Sequence, residues 1–193
     1  TVYADGPAAS FRPRAGGMRP DLVVARMQKA AAVMQFKLEG QVIARNPQWE
    51  MDHRRLLHRI DHARGTIEVD GVRYPLSDTH LPTVDPADPY ALSAKERRCI
   101  DRLRRSFLAS QKLREHMHDL VSHGSMYLVR DGCLIFHGCV PVDRGGEFLT
   151  MNIDGQPLGG RAMFDAIGRV VLRAADRKAV QDLDLLWYLW SGD

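Results

Sequence analysis

Residues 124–142, GSMYLVRDGCLIFHGCVPV, carry the most informative pattern in the chain. Met126 to Val129 precede Asp131-Gly132, and Cys133 to Phe136 follow it. An Asp-Gly pair tolerates the positive φ values of a two-residue hairpin turn, so the spacing predicts antiparallel strands over 126–129 and 133–136. Both runs are nearly continuously apolar. Because successive side chains point to opposite faces of a strand, such runs predict burial on both sides, a hairpin inside a core. The second strand leads straight into His137-Gly138, where the backbone can turn sharply and leave an imidazole facing a cleft.

Working outward, Asp70-Gly71 lies between residues 66–69 and 72–76 and predicts a second hairpin. Residues 148–153 read as a further strand ended by Asp154-Gly155, and the short apolar run 185–190 has strand length. Helical spacing is plain upstream. Pro20 suits a first turn, and Val23, Met27, Ala30, Met34, Leu38 and Val42 follow on one stripe that ends before Pro47. A shorter helix is expected over 51–62, with Leu56, Leu57 and Ile60 on one side and Gly65 as its stop.

Ser93 with Glu96 three residues later forms a capping box ahead of a stripe of Ile100, Leu103 and Phe107. Leu113, Met117, Leu120 and Val121 mark another helix, stopped at Gly124 in a left-handed conformation. Phe164, Ile167, Val171 and Ala174 mark the last. Residues 77–90 hold three prolines and several aspartates and read as a loop, and residues 1–17, rich in Ala, Gly and Pro, as a loop or lead-in. Helices and strands mix without strict βαβ alternation. The expected class is therefore α/β, with helices packed on a mixed sheet.

Composition narrows function less than pattern does. A chain of 193 residues with 45% apolar residues suffices for one core, and a net charge of +3 with interspersed signs gives no case for nucleic acid. Cys99, Cys133 and Cys139 are odd in number and lack metal or redox spacing, which suits a reducing, cytoplasmic setting. No apolar run has the length of a membrane span, and no signal segment opens the chain. Thr1 is not an initiator methionine, so the beginning is expected upstream. Walker, dinucleotide and GxSxG motifs are absent, which removes support for nucleotide-driven, redox and serine-hydrolase chemistry.

Each candidate residue has a bland reading beside its functional one. His137 is either a metal ligand or catalytic group at a strand end, or a satisfied core histidine. His58 and His62 stand four apart, a spacing that can hold a metal on one helix face, yet His53 and several arginines nearby favour a solvated basic face. His116, His118 and His123 read as surface or capping residues. Arg97, Arg98, Arg102, Arg104 and Arg105 could meet phosphate oxygens but spread over several helix faces, as a solvated helix does. Asp78 and His80, in the proline-rich loop, could contact a metal or a sugar, or could cap the loop.

Long stretches resemble the class III fructose-1,6-bisphosphatase family: MQFKLEGQV at 34–42, MDHRRLLHRIDH at 51–62, GTIEVDGVRYPLSDTHLPTVDPADPYA at 65–91, the 124–142 stretch above, and WYLWS at 187–191. The family is similar in turn to calcineurin-like metallophosphoesterases. The resemblance implies a cytoplasmic, gluconeogenic phosphatase acting on the 1-phosphate of fructose 1,6-bisphosphate with a divalent metal, manganese above all. It implies a partial metallophosphoesterase-like layered sandwich over 18–193, in which 18–123 is a helical insertion and 124–193 the core sheet and helix segment. Residues 134–139, LIFHGC, resemble the late His-Gly motif of that superfamily, which makes His137 a metal ligand.

Asp78 and His80, from their place in the loop, are the candidate substrate contacts, and a homo-oligomer is allowed. No GDxxD, GNHD or final GH segment occurs here; the first two are expected before Thr1 and the last beyond Asp193. A two-metal site draws ligands from all of these, so the segment is expected to be inactive alone. Two alternatives stand beside this reading: a phosphatase for another phosphate ester, and a non-catalytic assembly module built on the methionine-bearing helix.

Overall fold

A computed structural model describes Tyr3, Ala8 and residues 22–192. The remaining residues, among them most of the expected 1–17 lead-in and Pro20, lie outside the described set. The chain divides into two compact units, residues 1–105 and 106–193. Helices and small antiparallel sheets are mixed, as the α/β expectation requires, but the strands among the described residues form three separate sheets and not the expected mixed one.

The first unit is organised by helix α1, Leu22–Arg45. It buries Ala30, Val33 and Met34 against Tyr3, Leu57, Val84 and Tyr90. Strands β1 (Ile60–Asp61), β2 (Thr66–Val69) and β3 (Val72–Pro75) form one antiparallel sheet in chain order. Asp70 and Gly71 both take positive φ, 51° and 74°, which closes the predicted hairpin in register Val69↔Val72. Helix α2, Ala94–Ala109, begins at the predicted capping box: the Ser93 N–H donates to Glu96 Oε2 at 2.7 Å, and the Glu96 N–H to Ser93 Oγ at 3.3 Å.

Several expectations are corrected here. The helix expected over 51–62 is absent. Three short 3-10 turns, Pro47–Trp49, Asp52–Arg54 and Leu57–Arg59, lead instead into β1. No side chain caps any of the three, while the Asp52 carbonyl and carboxylate draw in Arg59 and Arg55, which favours tight turns over a continuing helix. His58 and His62 therefore do not share a helix face. Gly65, with φ 65°, closes the turn before β2. In α2 only Ile100 of the expected stripe is half-buried; Leu103 and Phe107 are exposed.

The second unit contains α3 (Gln111–His123), β4 (Tyr127–Arg130), β5 (Cys133–Phe136), β6 (Thr150–Ile153), β7 (Gln156–Gly159), α4 (Gly160–Arg177) and α5 (Val180–Ser191). Its core is one face of α4, where Met163, Phe164, Ala166, Ile167 and Val170 meet Ile153 of β6. Asp131-Gly132 and Asp154-Gly155 repeat the positive φ pair, so both turns make two-stranded hairpins. The strand β7 beyond the second was not anticipated.

Three readings fail in this unit. The β4–β5 hairpin forms in the predicted register, but Leu128, Val129, Leu134 and Ile135 are exposed, not buried. The 185–190 run is helical, part of α5, because a short apolar run has no period of its own and Asp182 ties its first turn to α4. Gly124 ends α3 in extended geometry, φ −73° and ψ 155°, its N–H bonded to Leu120 O at 2.8 Å. In α3 itself, Met117 and Leu120 are exposed.

Gly40 fixes how α1 meets the loop before α2. A Cβ there would lie 2.2 Å from both Cδ1 and Cε1 of Tyr90, a buried ring that cannot swing aside freely. Gly40→Ala is expected to lower stability by about 1–3 kcal/mol, the cost of forcing a packed ring to move. Thermal and urea unfolding followed by circular dichroism measure this, and an unchanged midpoint would contradict the packing described.

Candidate functional site

In the first unit, α1 carries Lys29, Val33, Lys37 and Gln41 at four-residue intervals, so all four face the 77–91 segment. Both lysines are fully buried. Lys29 Nζ donates to both oxygens of Asp78 at 2.8 Å and lies 5.4 Å from the centre of the Tyr3 ring. The His80 backbone N–H donates to Asp78 Oδ1 at 3.1 Å, while the His80 residue itself is exposed. Asp78 is thus a loop-fixing acceptor with its carboxylate engaged on two sides.

Lys37 Nζ spends its three protons on the Thr83 carbonyl, on the Ala91 carbonyl at 2.9 Å and on Glu96 Oε2 at 2.9 Å. Thr83 Oγ1 donates to Glu96 Oε1 at 2.6 Å, which leaves the Tyr3 hydroxyl as donor in its 2.8 Å bond to Thr83 Oγ1. Burial pushes the Glu96 carboxyl up, but donation from Thr83, Lys37 and the Ser93 N–H outweighs it and holds the group below its ordinary 4.5. Burial pushes the Tyr3 phenol up. Gln41 Nε2 completes the row by donating to Tyr90 O at 2.7 Å. The outcome is a rigid loop held by satisfied buried charges.

Nearby, His58 Nδ1 and the Tyr90 hydroxyl are 2.8 Å apart, and the Arg55 guanidinium lies 4.9 Å from the Tyr90 ring centre. Burial first, then the positive charge of Arg55, holds His58 below its usual 6.5. His58 is a neutral hydrogen-bonding partner of Tyr90 at neutral pH.

In the second unit, His137 follows β5 and is exposed, and Gly138 turns the chain with φ 86°. The sequence placed it at a strand end, and it is there. Asp78 and His80 belong to the other unit. Among the described residues no group of three or more His, Cys, Asp or Glu could hold a metal ion. The described residues therefore do not by themselves make up a metal centre.

Sequence reasoning missed a further charged cluster. Arg173 of α4 grips Asp182 of α5 through Nε and Nη2 at 2.8 and 2.7 Å, and Asp154 of the β6–β7 turn through Nη1 and Nη2 at 3.0 and 2.8 Å. Both carboxyls are held below the usual Asp range, first by hydrogen bonds from Arg173. The Asp-Gly turn had hidden Asp154 behind a backbone role. The exposed arginines 97, 98, 102, 104 and 105 form a solvated helix surface, with Arg97 donating to the Leu92 carbonyl at 2.7 Å.

A family model described as Firmicute fructose-1,6-bisphosphatase matches residues 1–193. The curated relatives include a class 3 fructose-1,6-bisphosphatase of Clostridioides difficile, 40% identical over 200 residues, covering 99% of this chain and 30% of the relative. One from Fusobacterium nucleatum is 42% identical over 195 residues, covering 98% and 30%. One from Listeria innocua is 37% identical over 201 residues, covering 99% and 31%. The chain thus spans about 30% of the length of these relatives. No solved structure matches.

The Lys37–Glu96 pair gives a signed expectation. A carboxyl whose folded value is depressed contributes stability above about pH 4.5 and loses it as pH falls through the lower folded value. Glu96→Gln should therefore flatten the acid limb of a stability-against-pH curve. Lys37→Met, which strands a buried carboxylate, should cost about 3–5 kcal/mol at pH 7. Urea titrations from pH 3 to 7 check both, and an acid limb unaltered by Glu96→Gln would remove the pair from the account.

Proposed function

The chain belongs to the Firmicute fructose-1,6-bisphosphatase family, and from that premise we propose that it supplies one part of a metal-dependent phosphatase acting on fructose 1,6-bisphosphate. The observation that carries the reading is the match over residues 1–193, joined to about 40% identity with class 3 enzymes across nearly all of this chain. In this reading the phosphate removed is the 1-phosphate, the metal is manganese, and the setting is cytoplasmic gluconeogenesis. Residues 124–193 contribute to a metallophosphoesterase-like layered sandwich and 18–123 form a helical insertion. A homo-oligomer is compatible with it.

His137 is the metal ligand that this chain contributes. Its exposed ring, directly after a strand and before a glycine with positive φ, is suited to reaching a metal held mostly by other residues. His80, exposed beside a carboxylate already engaged with Lys29, is the better placed of the loop pair to meet substrate, with Asp78 holding it in position. The chain alone is inactive in this reading, because one ligand neither neutralises nor orients a phosphate. A non-catalytic assembly role is favoured by a different feature, the exposed Leu22, Val23, Val24 and Met27 on the first turns of α1.

The test replaces the matched segment of the Fusobacterium nucleatum relative with this chain and assays the chimera with manganese against fructose 1,6-bisphosphate and other phosphate esters. Preference for fructose 1,6-bisphosphate is expected, and a clear preference for another ester would reject the substrate. His137→Ala in the chimera should lower bound metal and kcat/KM by about 10–100-fold or more. Unchanged metal content would remove His137 from the site. Manganese-dependent turnover by the isolated chain would overturn its assignment as an incomplete part.

A further inference from the structure

Beside the core of the first unit lies a pocket of about 240 Å³ whose lining comes wholly from that unit. Val33 of α1, Leu57, Ile60 of β1, Ile67 of β2 and Leu81 of the proline-rich loop give it apolar walls, and Ser77 and Asp78 form a polar side. Close-packed interiors hold few voids larger than a water molecule, so a space of this size beside a packed core needs a reason. Cavities of about 150 Å³ lined by Leu, Ile and Phe stay dry and take up benzene. Drug-sized ligands occupy about 300–1,000 Å³. The pocket therefore suits a molecule somewhat larger than benzene.

The polar side restricts what can enter. Lys29, also in the lining, is fully buried and donates Nζ to both oxygens of Asp78 at 2.8 Å. A cationic ligand would meet that ammonium at close range, and an anion would meet the carboxylate with no other cation in the lining to offset it. A neutral donor escapes both penalties. Asp78 Oδ1 also accepts the His80 N–H at 3.1 Å, whereas Oδ2 accepts from Lys29 alone and has a lone pair left. The Asp78 side chain is 11% exposed, so the carboxylate is not sealed off.

We propose that this pocket binds a small, mainly apolar alcohol, with its hydrocarbon part among Val33, Leu57 and Ile67 and its hydroxyl donating to Asp78. The same chemistry excludes phosphate esters, so the site is separate from any hydrolytic one, and the inference stands without the phosphatase reading. An occupant touches both α1 and residues 76–78, so it also steadies the loop that Lys29 anchors through Asp78.

Benzyl alcohol is the probe, and toluene, benzylamine and benzoate are controls of similar size with different head groups. Titration of the chain at pH 7, followed by NMR, should show saturable binding of benzyl alcohol at a single site. Its affinity should exceed that of toluene about tenfold, the gain from a hydrogen bond to a charged group, and neither ion should bind. No binding of the alcohol, equal affinity for toluene, or uptake of either ion would overturn the proposal. Intermolecular NOEs from the ring to the methyl groups of Val33, Leu57 and Ile67 locate the probe in the unaltered chain, and binding without them places it elsewhere and refutes the site. Ala32, on the α1 wall, supplies the second arm. Ala32→Leu fills the space with another good helix former and should cut affinity at least tenfold without lowering the melting midpoint. A folded variant that binds benzyl alcohol as before would sink the idea, and if the variant fails to fold, the NOEs in the unaltered chain decide alone.

Discussion

The first unit depends on one ammonium group. Lys37 sits on the buried face of α1, where an unpaired charge would be expensive, and its three protons are met by two loop carbonyls and one carboxylate. Those acceptors belong to three places distant in sequence, residues 83, 91 and 96, so satisfying one cation fixes the path of the proline-rich loop and the start of α2. Glu96 serves the capping box, Thr83 and Lys37 together. The network is fully satisfied, which is the condition under which buried polar groups specify a fold instead of weakening it.

The second unit uses the same device at its surface. Arg173 reads two carboxylates with one planar group, and because Asp154 sits in a hairpin turn and Asp182 in the first turn of α5, the guanidinium fixes both elements to α4. An apolar run that could have been a strand is thereby committed to helix next to α4. Leu185 packs on the α4 core while Leu189 and Trp190, further along, remain exposed.

Elements with a local signature were legible in the sequence. The Asp70-Gly71 and Asp131-Gly132 hairpin turns, the Ser93–Glu96 capping box and the helical spacing of α1 and α4 declare themselves within a few residues, although Val23 and Met27 of the α1 stripe are exposed. Readings that needed distant partners failed. Nothing near Leu103 or Phe107 says that their face lacks cover, and nothing near residue 185 names Arg173 as the group that settles its form. The buried lysines could have been suspected from their four-residue row with Val33 and Gln41, but a lysine on an amphipathic helix ordinarily reads as solvent-facing. The strand-end position of His137 was legible because its signal is local too, a strand running into His-Gly.

That histidine shows how support and chemistry are linked in this chain. A metal ligand must be held within a fraction of an ångström, and a ligand at the end of a strand takes its rigidity from the sheet behind it. Here the strand is β5, paired only with β4, with half of one face seated on Phe164. Each apolar side chain left open on that hairpin represents packing not available to steady the residue that follows it. Any contact that covers Leu128 and Ile135 would therefore tighten the position of His137 as well as remove apolar surface from water, and such support is what the proposed ligand role would require of that residue.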